Sequence, residues 1–127
     1  MPELEELLVP DAEGWRSWLE AHHDDAPGVW LVLAKKNDPL PAPTYAQAVE
    51  EAVCFGWIDG QARRREQGGS FIRMTPRRPR SNWSVSNVER VERLEAEGRM
   101  RAAGWAAVEV AKANGSWDAA VAARDAR

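Results

Sequence analysis

The longest uninterrupted apolar run of the chain is Val29–Ala34, which lies between the turn residues Pro27-Gly28 and Asn37-Asp38-Pro39. A short apolar run between turn residues is typical of a strand buried in a protein core. The run is far shorter than the roughly 20 apolar residues that a membrane-spanning helix needs. The sequence therefore predicts a buried strand here and no membrane partner. The length of the chain, 127 residues, is typical of a single domain.

Helix signals stand on both sides of this strand. Asp11 can cap a helix that runs to about His23, because its side-chain oxygen can accept a hydrogen bond from the first turn. Thr44 and Gln47 form a capping-box pattern that opens a second helix, and Gly56 ends it. Both helices have apolar side chains three and four residues apart, as a helix packed on a core requires.

Two further helices are predicted in the C-terminal half of the chain. One begins at a cap provided by Ser84 or Ser86 and ends at Gly98. The other covers about 100–113, and after Asn114-Gly115 we expect only a short alanine-rich tail. The predicted fold class is α+β, with a small antiparallel sheet, an N-terminal helix and C-terminal helices packed on the sheet.

The segments 57–66 and 70–75 are typical of a β-hairpin around the loop Gln67-Gly68-Gly69. A three-residue loop pairs Ala62 with Met74, and it separates apolar from charged side chains better than a two-residue loop does. On this register the apolar residues form one face of the hairpin. The displayed face carries Trp57, Asp59, Gln61, Arg63, Arg65, Phe71 and Arg73.

Charge is strongly segregated along the chain, although the formal net charge is only −3. Residues 1–25 hold eight acidic side chains against one arginine, whereas residues 63–80 hold seven arginines against one acidic side chain. A cationic segment of this kind predicts a surface that meets an anion. The alternative is that these arginines only balance the acidic half of the chain as solvated surface.

Residues 77–84, which we call the arginine loop, directly precede a predicted helix start. Pro76 and Pro79 favour extended backbone and stiffen this segment. A helix N-terminus attracts anions, and guanidinium groups bind phosphate or carboxylate through paired hydrogen bonds. Trp83 either stacks on a ligand ring or fills the core below the loop. The loop thus predicts an anion-binding site formed by Arg77, Arg78, Arg80, Ser81, Asn82 and Trp83, with Arg63 and Arg73 added by the hairpin.

Asp59 belongs to a second candidate group, because it lies between the glycines Gly56 and Gly60, close to Trp57, at the start of the hairpin. The predicted register places it on the same face as Arg63 and Arg73. It is expected either to form a structural salt bridge with them or to act as the proton acceptor of a small enzyme. No residue is assigned as catalytic from the sequence.

Signatures of metal and cofactor sites are missing from the sequence. Cys54 is the single cysteine, so an intramolecular disulfide is excluded, and we expect an inert thiol in the core. His22 and His23 are adjacent rather than four residues apart, which disfavours a helical metal site. No P-loop, dinucleotide glycine motif or zinc-protease motif occurs. We expect neither a metal nor a cofactor.

Two segments, Cys54–Gly60 and Thr75–Ser84, together resemble the YdeI/OmpD-associated family of bacterial proteins. Further residues of the same pattern, including Trp117, extend the resemblance from about residue 9 to residue 120. The resemblance implies one domain over residues 1–127 with its structured core in that range, and a small α+β fold of the YjbR/CyaY-like group. Members are described as bacteriocin-protection or OmpD-associated proteins without an established reaction, and related domains resemble DNA-binding modules.

Three functions are consistent with these features. The first is a cytoplasmic binding module whose arginine hairpin and arginine loop hold a phosphate-bearing ligand, with nucleic acid as one candidate. The second is a small enzyme that acts on an anionic substrate through Asp59. The third is a protein-interaction module that uses the acidic N-terminal segment and exposed tryptophans. The cytoplasm is expected because the sequence begins without a basic segment followed by an apolar stretch.

Overall fold

The computed structural model describes residues 4–126, and these residues divide into two compact units. Unit 1 comprises residues 4–52 and 57–76, and unit 2 comprises residues 53–56 and 77–126. The described residues form one four-stranded sheet and five helices. The α+β class predicted from the sequence is confirmed. The single domain expected from the chain length stays a prediction.

The sheet belongs entirely to unit 1. In chain order the elements are β1 (Glu5–Leu7), α1 (Ala12–His22), β2 (Val29–Leu33), α2 (Tyr45–Cys54), β3 (Trp57–Arg64) and β4 (Ser70–Pro76). The strands lie in the order β1-β2-β4-β3, with β1 parallel to β2 and the other neighbours antiparallel. The sheet is therefore mixed rather than antiparallel throughout. The sequence does not predict β1, because three residues that include two glutamates show no strand pattern.

Local capping signals place the first two helices where the sequence predicts them. Asp11 Oδ1 accepts a hydrogen bond from Gly14 N at 2.9 Å and caps α1. Gln47 N donates to Thr44 Oγ1 at 3.2 Å, and Thr44 N donates to Gln47 Oε1 at 3.0 Å. Both predicted helix starts are therefore confirmed.

The core of unit 1 lies between α1, α2 and one face of the sheet. Trp57 is 1% exposed and meets Trp15 edge to face, with ring centres 6.2 Å apart. The indole N–H of Trp57 donates to the carbonyl of His23 at 3.1 Å, and that of Trp15 donates to the carbonyl of Ala48 at 3.0 Å. Both buried indoles thus have the hydrogen-bond acceptor that burial requires. The same core contains Leu19, Val29, Leu31, Val49 and Met74.

A longer turn and a β-bulge make the observed register of the hairpin differ from the predicted one. Ala62 pairs with Ile72 rather than with Met74, and the turn spans residues 65–69 rather than three residues. Beyond the bulge, Asp59 pairs with Met74. An extra residue in one strand moves the side chains beyond it to the other face. The predicted pairing is wrong for two reasons. The five-residue turn moves the partner of Ala62 by two positions, and the bulge moves the start of β3 to the face of the sheet opposite to the predicted one.

Unit 2 contains the helices α3 (Val85–Ala96), α4 (Ala102–Asn114) and α5 (Ser116–Asp125). Ser84 caps α3, since its Oγ accepts a hydrogen bond from Asn87 N at 3.1 Å, and this decides between the two predicted caps. Gly115 has a φ of 87° and separates α4 from α5. Helix α5 occupies the segment that the sequence predicts to be a tail. The sequence does not reveal this helix start, because Gly115 has no side chain that could cap it.

Gly104 allows α4 to pack directly on the backbone at the end of α2. An added Cβ at Gly104 would lie 2.3 Å from the carbonyl oxygen of Cys54 and 2.8 Å from its carbonyl carbon. The same oxygen accepts a hydrogen bond from Arg101 N at 3.0 Å, so it cannot turn away without losing that bond. The start of α4 is therefore held by a contact that only glycine permits.

We expect Gly104→Ala to destabilise the protein by about 1–3 kcal/mol, because the added methyl group forces α4 away from Cys54. The direction is informative, since glycine to alanine in an ordinary helix interior stabilises by about 0.5–1 kcal/mol. Urea unfolding followed by circular dichroism measures the difference. Ala106→Gly, at an exposed position of the same helix, is the matched control and should cost about 1 kcal/mol from helix propensity alone. A Gly104→Ala variant as stable as the parent protein contradicts the close packing.

Candidate anion-binding site

The predicted site residues are divided between the two units. Unit 1 holds Trp57, Asp59, Arg63 and Arg73, and unit 2 holds Arg77, Arg78, Arg80, Ser81, Asn82 and Trp83. The convergence of the hairpin arginines with the arginine loop on one surface stays a prediction. Each unit therefore has its own set of candidate residues.

Trp57 and Asp59 do not share a face with Arg63 and Arg73. Trp57 lies in the core, and Asp59 accepts a hydrogen bond from the hydroxyl of Tyr45 at 2.8 Å. Successive side chains of a strand alternate between faces, so the observed pairing places Asp59 on the other side of the sheet from Arg73. The predicted salt bridge between Asp59 and these arginines is wrong, and the bulge in β3 is the reason.

Arg63 is held by other side chains of unit 1. Its guanidinium carbon lies 4.4 Å from the ring centre of Trp30 and 4.9 Å from that of Phe71. Its Nη2 donates to Glu6 Oε2 at 2.8 Å. Arg63 therefore makes cation–π contacts with an aromatic pair and neutralises an acidic residue of β1. Arg63 therefore has the charge-balancing role, which is one of the two alternatives that the sequence predicts for the arginines.

The arginine loop closes on itself. The guanidinium carbon of Arg77 lies 3.9 Å from the ring centre of Trp83, and its Nη1 donates to the carbonyl of Asn82 at 3.1 Å. The N–H of Arg78 donates to Ser81 Oγ, and the N–H of Ser81 donates to the carbonyl of Arg78, both at 3.0 Å. These contacts bring the two ends of the loop together. Arg77, Ser81 and Asn82 thus form a turn that exists before any ligand binds.

The side chains of Arg78 and Arg80 take no part in the contacts that hold this turn together. Both are exposed, and their side chains form no hydrogen bond or ion pair with any residue between 4 and 126. By contrast, Arg99 donates to Glu97 at 3.0 Å, and this bond holds the pKa of that carboxyl below its usual range. An arginine that balances the protein's own charge is expected in such a pair. Arg78 and Arg80 instead leave two guanidinium groups for anions from solution.

The turn between α4 and α5 lies against the arginine loop. The side-chain amide of Asn114 donates to the carbonyl of Pro79 at 2.6 Å. The rings of Trp83 and Trp117 meet at 64° with centres 5.4 Å apart, and Lys112 Nζ lies 5.4 Å from the ring centre of Trp117. A further cation and a second indole therefore join the loop. The arginine–tryptophan site consists of Arg77, Arg78, Arg80, Lys112, Trp83 and Trp117.

Lys112 and Trp117 are the members of this site that the pattern of the loop does not predict. The sequence offers for both of them the helix break at Asn114-Gly115, which turns the chain between α4 and α5, and Trp117 also belongs to the pattern of the family resemblance. A single lysine near the end of a helix is common, because it interacts favourably with the last carbonyl groups. Its place beside the loop depends on tertiary contacts that no short pattern records.

A family model described as Domain of unknown function (DUF8412) matches residues 7–107, which is most of the chain. The chain belongs to this family. The DUF8412 match includes β2, β3, β4 and the whole arginine loop, whereas Lys112 and Trp117 lie beyond its last residue. No curated protein and no solved structure matches the chain. The description of the DUF8412 family states no function.

Membrane-spanning helices and clusters of metal-binding side chains are both absent from residues 4–126 of this DUF8412 protein. None of the helices in this part of the chain combines the length and the apolar character needed to cross a membrane. Over the same residues, no three or more histidine, cysteine, aspartate or glutamate side chains are grouped so that they could hold a metal ion. Cys54 is buried, which confirms its predicted place in the core.

Arg77 is expected to differ from Arg78 and Arg80 in its effect on stability. Arg77→Ala removes the stack on Trp83 and the bond to Asn82, so we expect a loss of about 1–2 kcal/mol. Arg78→Ala and Arg80→Ala remove exposed side chains and should each change the free energy of unfolding by less than about 0.5 kcal/mol. Urea unfolding measures all three variants. A loss above about 1 kcal/mol in Arg78→Ala or Arg80→Ala would reveal a structural role instead.

Proposed function

We propose that this DUF8412 protein is a binding module for a phosphate-bearing ligand and that the arginine–tryptophan site binds this ligand. The observation that carries the proposal is the exposure of Arg78 and Arg80 without a partner carboxylate among residues 4–126. Like charges on one short loop repel each other and raise the local positive potential. An anion from solution removes this repulsion, and phosphate accepts the paired hydrogen bonds that guanidinium groups donate.

The preformed turn of the loop supports this proposal, because ordering a mobile loop costs free energy on binding. Arg77 stacks on Trp83 within the turn, and the side chain of Asn114, at the end of α4, donates a hydrogen bond to the carbonyl of Pro79. A ligand would therefore meet cations whose backbone is already in place. Ser84 already accepts a hydrogen bond from one N–H of the first turn of α3, so this helix start has one donor fewer to offer an anion than an uncapped helix has.

Nucleic acid is one candidate ligand, although the net charge of −3 is unlike that of dedicated nucleic-acid-binding proteins, which are usually basic overall. The acidic residues repel a long polyanion wherever it leaves the basic site. A ligand that spans only a few phosphates avoids this repulsion. The cytoplasmic location and the resemblance to the YdeI/OmpD-associated family stay predictions.

The two other functions considered have less support. The enzyme alternative has less support because Asp59 does not lie beside the hairpin arginines. Asp59 accepts a hydrogen bond from Tyr45 and lies on the other side of the sheet from Arg63 and Arg73. The interaction-module alternative stays a prediction. The large exposed apolar residues Leu8, Tyr45 and Val110 belong to three different segments of the described chain.

The test uses a fluorescein-labelled abasic oligodeoxynucleotide of about 12 residues, which presents phosphates without bases. Fluorescence anisotropy gives its affinity at a series of salt concentrations. If Arg78, Arg80 and Lys112 each neutralise one phosphate, log affinity should fall against log salt with a slope of about −2.1. The double variant Arg78→Ala/Arg80→Ala should weaken binding about tenfold or more and reduce the slope to about −0.7.

Arg64→Ala is the matched control, since Arg64 is an exposed arginine outside the loop. It should leave both the affinity and the salt slope unchanged. Absence of binding by the parent protein would falsify the proposal. Equal losses in the double variant and in a double control, Arg64→Ala/Lys36→Ala, would also refute it, because they would show a response to net charge alone.

Lys112→Ala tests whether the end of α4 takes part in the same site. Lys112 is exposed, so its loss should leave the free energy of unfolding within about 0.5 kcal/mol of the parent value. The salt slope for the abasic oligomer should become less steep by about 0.7, because one phosphate contact is lost. Lys36→Ala, at an exposed lysine outside the site, is the matched control. An unchanged slope in Lys112→Ala would restrict the site to the arginine loop.

A further inference from the structure

The two tryptophans of the arginine–tryptophan site contribute little to binding phosphate, because an indole has a single N–H donor. Both are nevertheless half-buried rather than enclosed in the core. Aromatic rings beside cations are a recurring arrangement for nucleic acid, in which the rings stack on bases while the cations hold the phosphates. The tryptophans therefore indicate what the ligand carries besides phosphate.

The ring faces of the two tryptophans differ in what covers them. Arg77 lies over Trp83 at 3.9 Å and is bonded to Asn82, so the protein itself occupies that ring face. Lys112 approaches the ring of Trp117 at 5.4 Å, and Lys112 is an exposed side chain. Its flexible four-carbon stem allows the ammonium group to move to a phosphate and leave the ring to a base. Trp117 is therefore the indole that a base from solution can reach.

We propose that the ligand is single-stranded nucleic acid and that Trp117 stacks on one of its bases, an inference that rests on the phosphate-binding function proposed above. Bases in a duplex are paired and stacked on each other, whereas unpaired bases are open to aromatic side chains. Arg78 and Arg80 flank Pro79, whose carbonyl accepts a hydrogen bond from Asn114, two residues after Lys112, so the cations lie on two adjoining segments of unit 2. Trp83 is a positioning residue, since it contacts both Arg77 and Trp117.

The experiment compares an oligothymidylate of about 12 nucleotides with the abasic oligomer of the same length and charge. The parent protein should bind the oligothymidylate about tenfold more tightly, which is the usual effect of one stacked base. A DNA duplex of the same length should bind more weakly than the oligothymidylate at equal salt. The free nucleotide dTTP, which has a base and phosphates but no strand, should compete only at about tenfold or higher concentration.

The variant Trp117→Ala should lose about tenfold more affinity for the oligothymidylate than for the abasic oligomer, so that the two probes then bind about equally. Trp117→Phe keeps an aromatic ring and should retain most of the affinity. Trp105→Phe, at a half-buried tryptophan of α4 outside the site, is the matched control and should leave both affinities unchanged. Circular dichroism and urea unfolding verify that each variant is folded.

A second measurement needs no variant in the binding experiment itself. The indole N–H resonance of Trp117, assigned from its absence in Trp117→Phe, should shift on titration of the parent protein with oligothymidylate. It should shift much less with the abasic oligomer, because the ring current of a stacked base is then missing. The resonance of Trp105 serves as the internal control.

The outcomes separate this inference from the proposed function. Equal affinity for oligothymidylate and abasic oligomer, without a specific Trp117 shift, overturns base stacking, while dependence on Arg78 and Arg80 keeps the phosphate-binding function. Tighter binding of the duplex, or equal binding of dTTP, overturns the single strand as the ligand. Binding that depends on neither Trp117 nor the two arginines overturns both proposals.

Discussion

The contact between Trp83 and Trp117 is the interaction on which the proposed site depends. It joins the arginine loop to the turn between α4 and α5, two segments that are far apart in the chain. An aromatic pair of this kind contributes about 0.5–1.5 kcal/mol beyond the area it buries. The hydrogen bond from Asn114 to Pro79 supports the same junction. Without these contacts Lys112 would be an ordinary lysine at a helix end, so the site exists only in the folded form of unit 2.

The parts of the structure that the sequence predicts correctly depend on neighbouring residues. Asp11, Thr44 and Ser84 each mark a helix start, and each accepts a hydrogen bond from a backbone N–H three residues further along. Such a bond needs only the local chain, so a short pattern is sufficient to predict it. The apolar run of β2 is equally local, since its length and its flanking turn residues indicate a strand. The fold class follows from these elements.

The parts that sequence reasoning misses depend on distant residues. Trp57 is buried against Trp15 of α1, and this contact decides on which face β3 begins. The bulge that follows places the side chains of Asp59 and Arg73 on opposite faces of the sheet, so the predicted contact between them is not formed. Lys112 is missed for the same physical reason, because its neighbours in space are not its neighbours in the chain. Burial and tertiary contact, rather than propensity, decide both cases.

Two arginines of this chain show how one residue type can serve different purposes. Arg63 covers Trp30 and bonds to Glu6, so its charge and its donors are used within unit 1. Arg78 lies on a loop braced by Arg77 and has no such partner among residues 4–126. A protein shaped by stability alone has no reason to keep like charges unpaired on a rigid turn, whereas binding sites commonly retain such unfavourable groups. Two neighbouring guanidinium groups without an internal partner on one preformed turn, rather than the number of arginines, therefore favour a binding surface over a charge-balanced one.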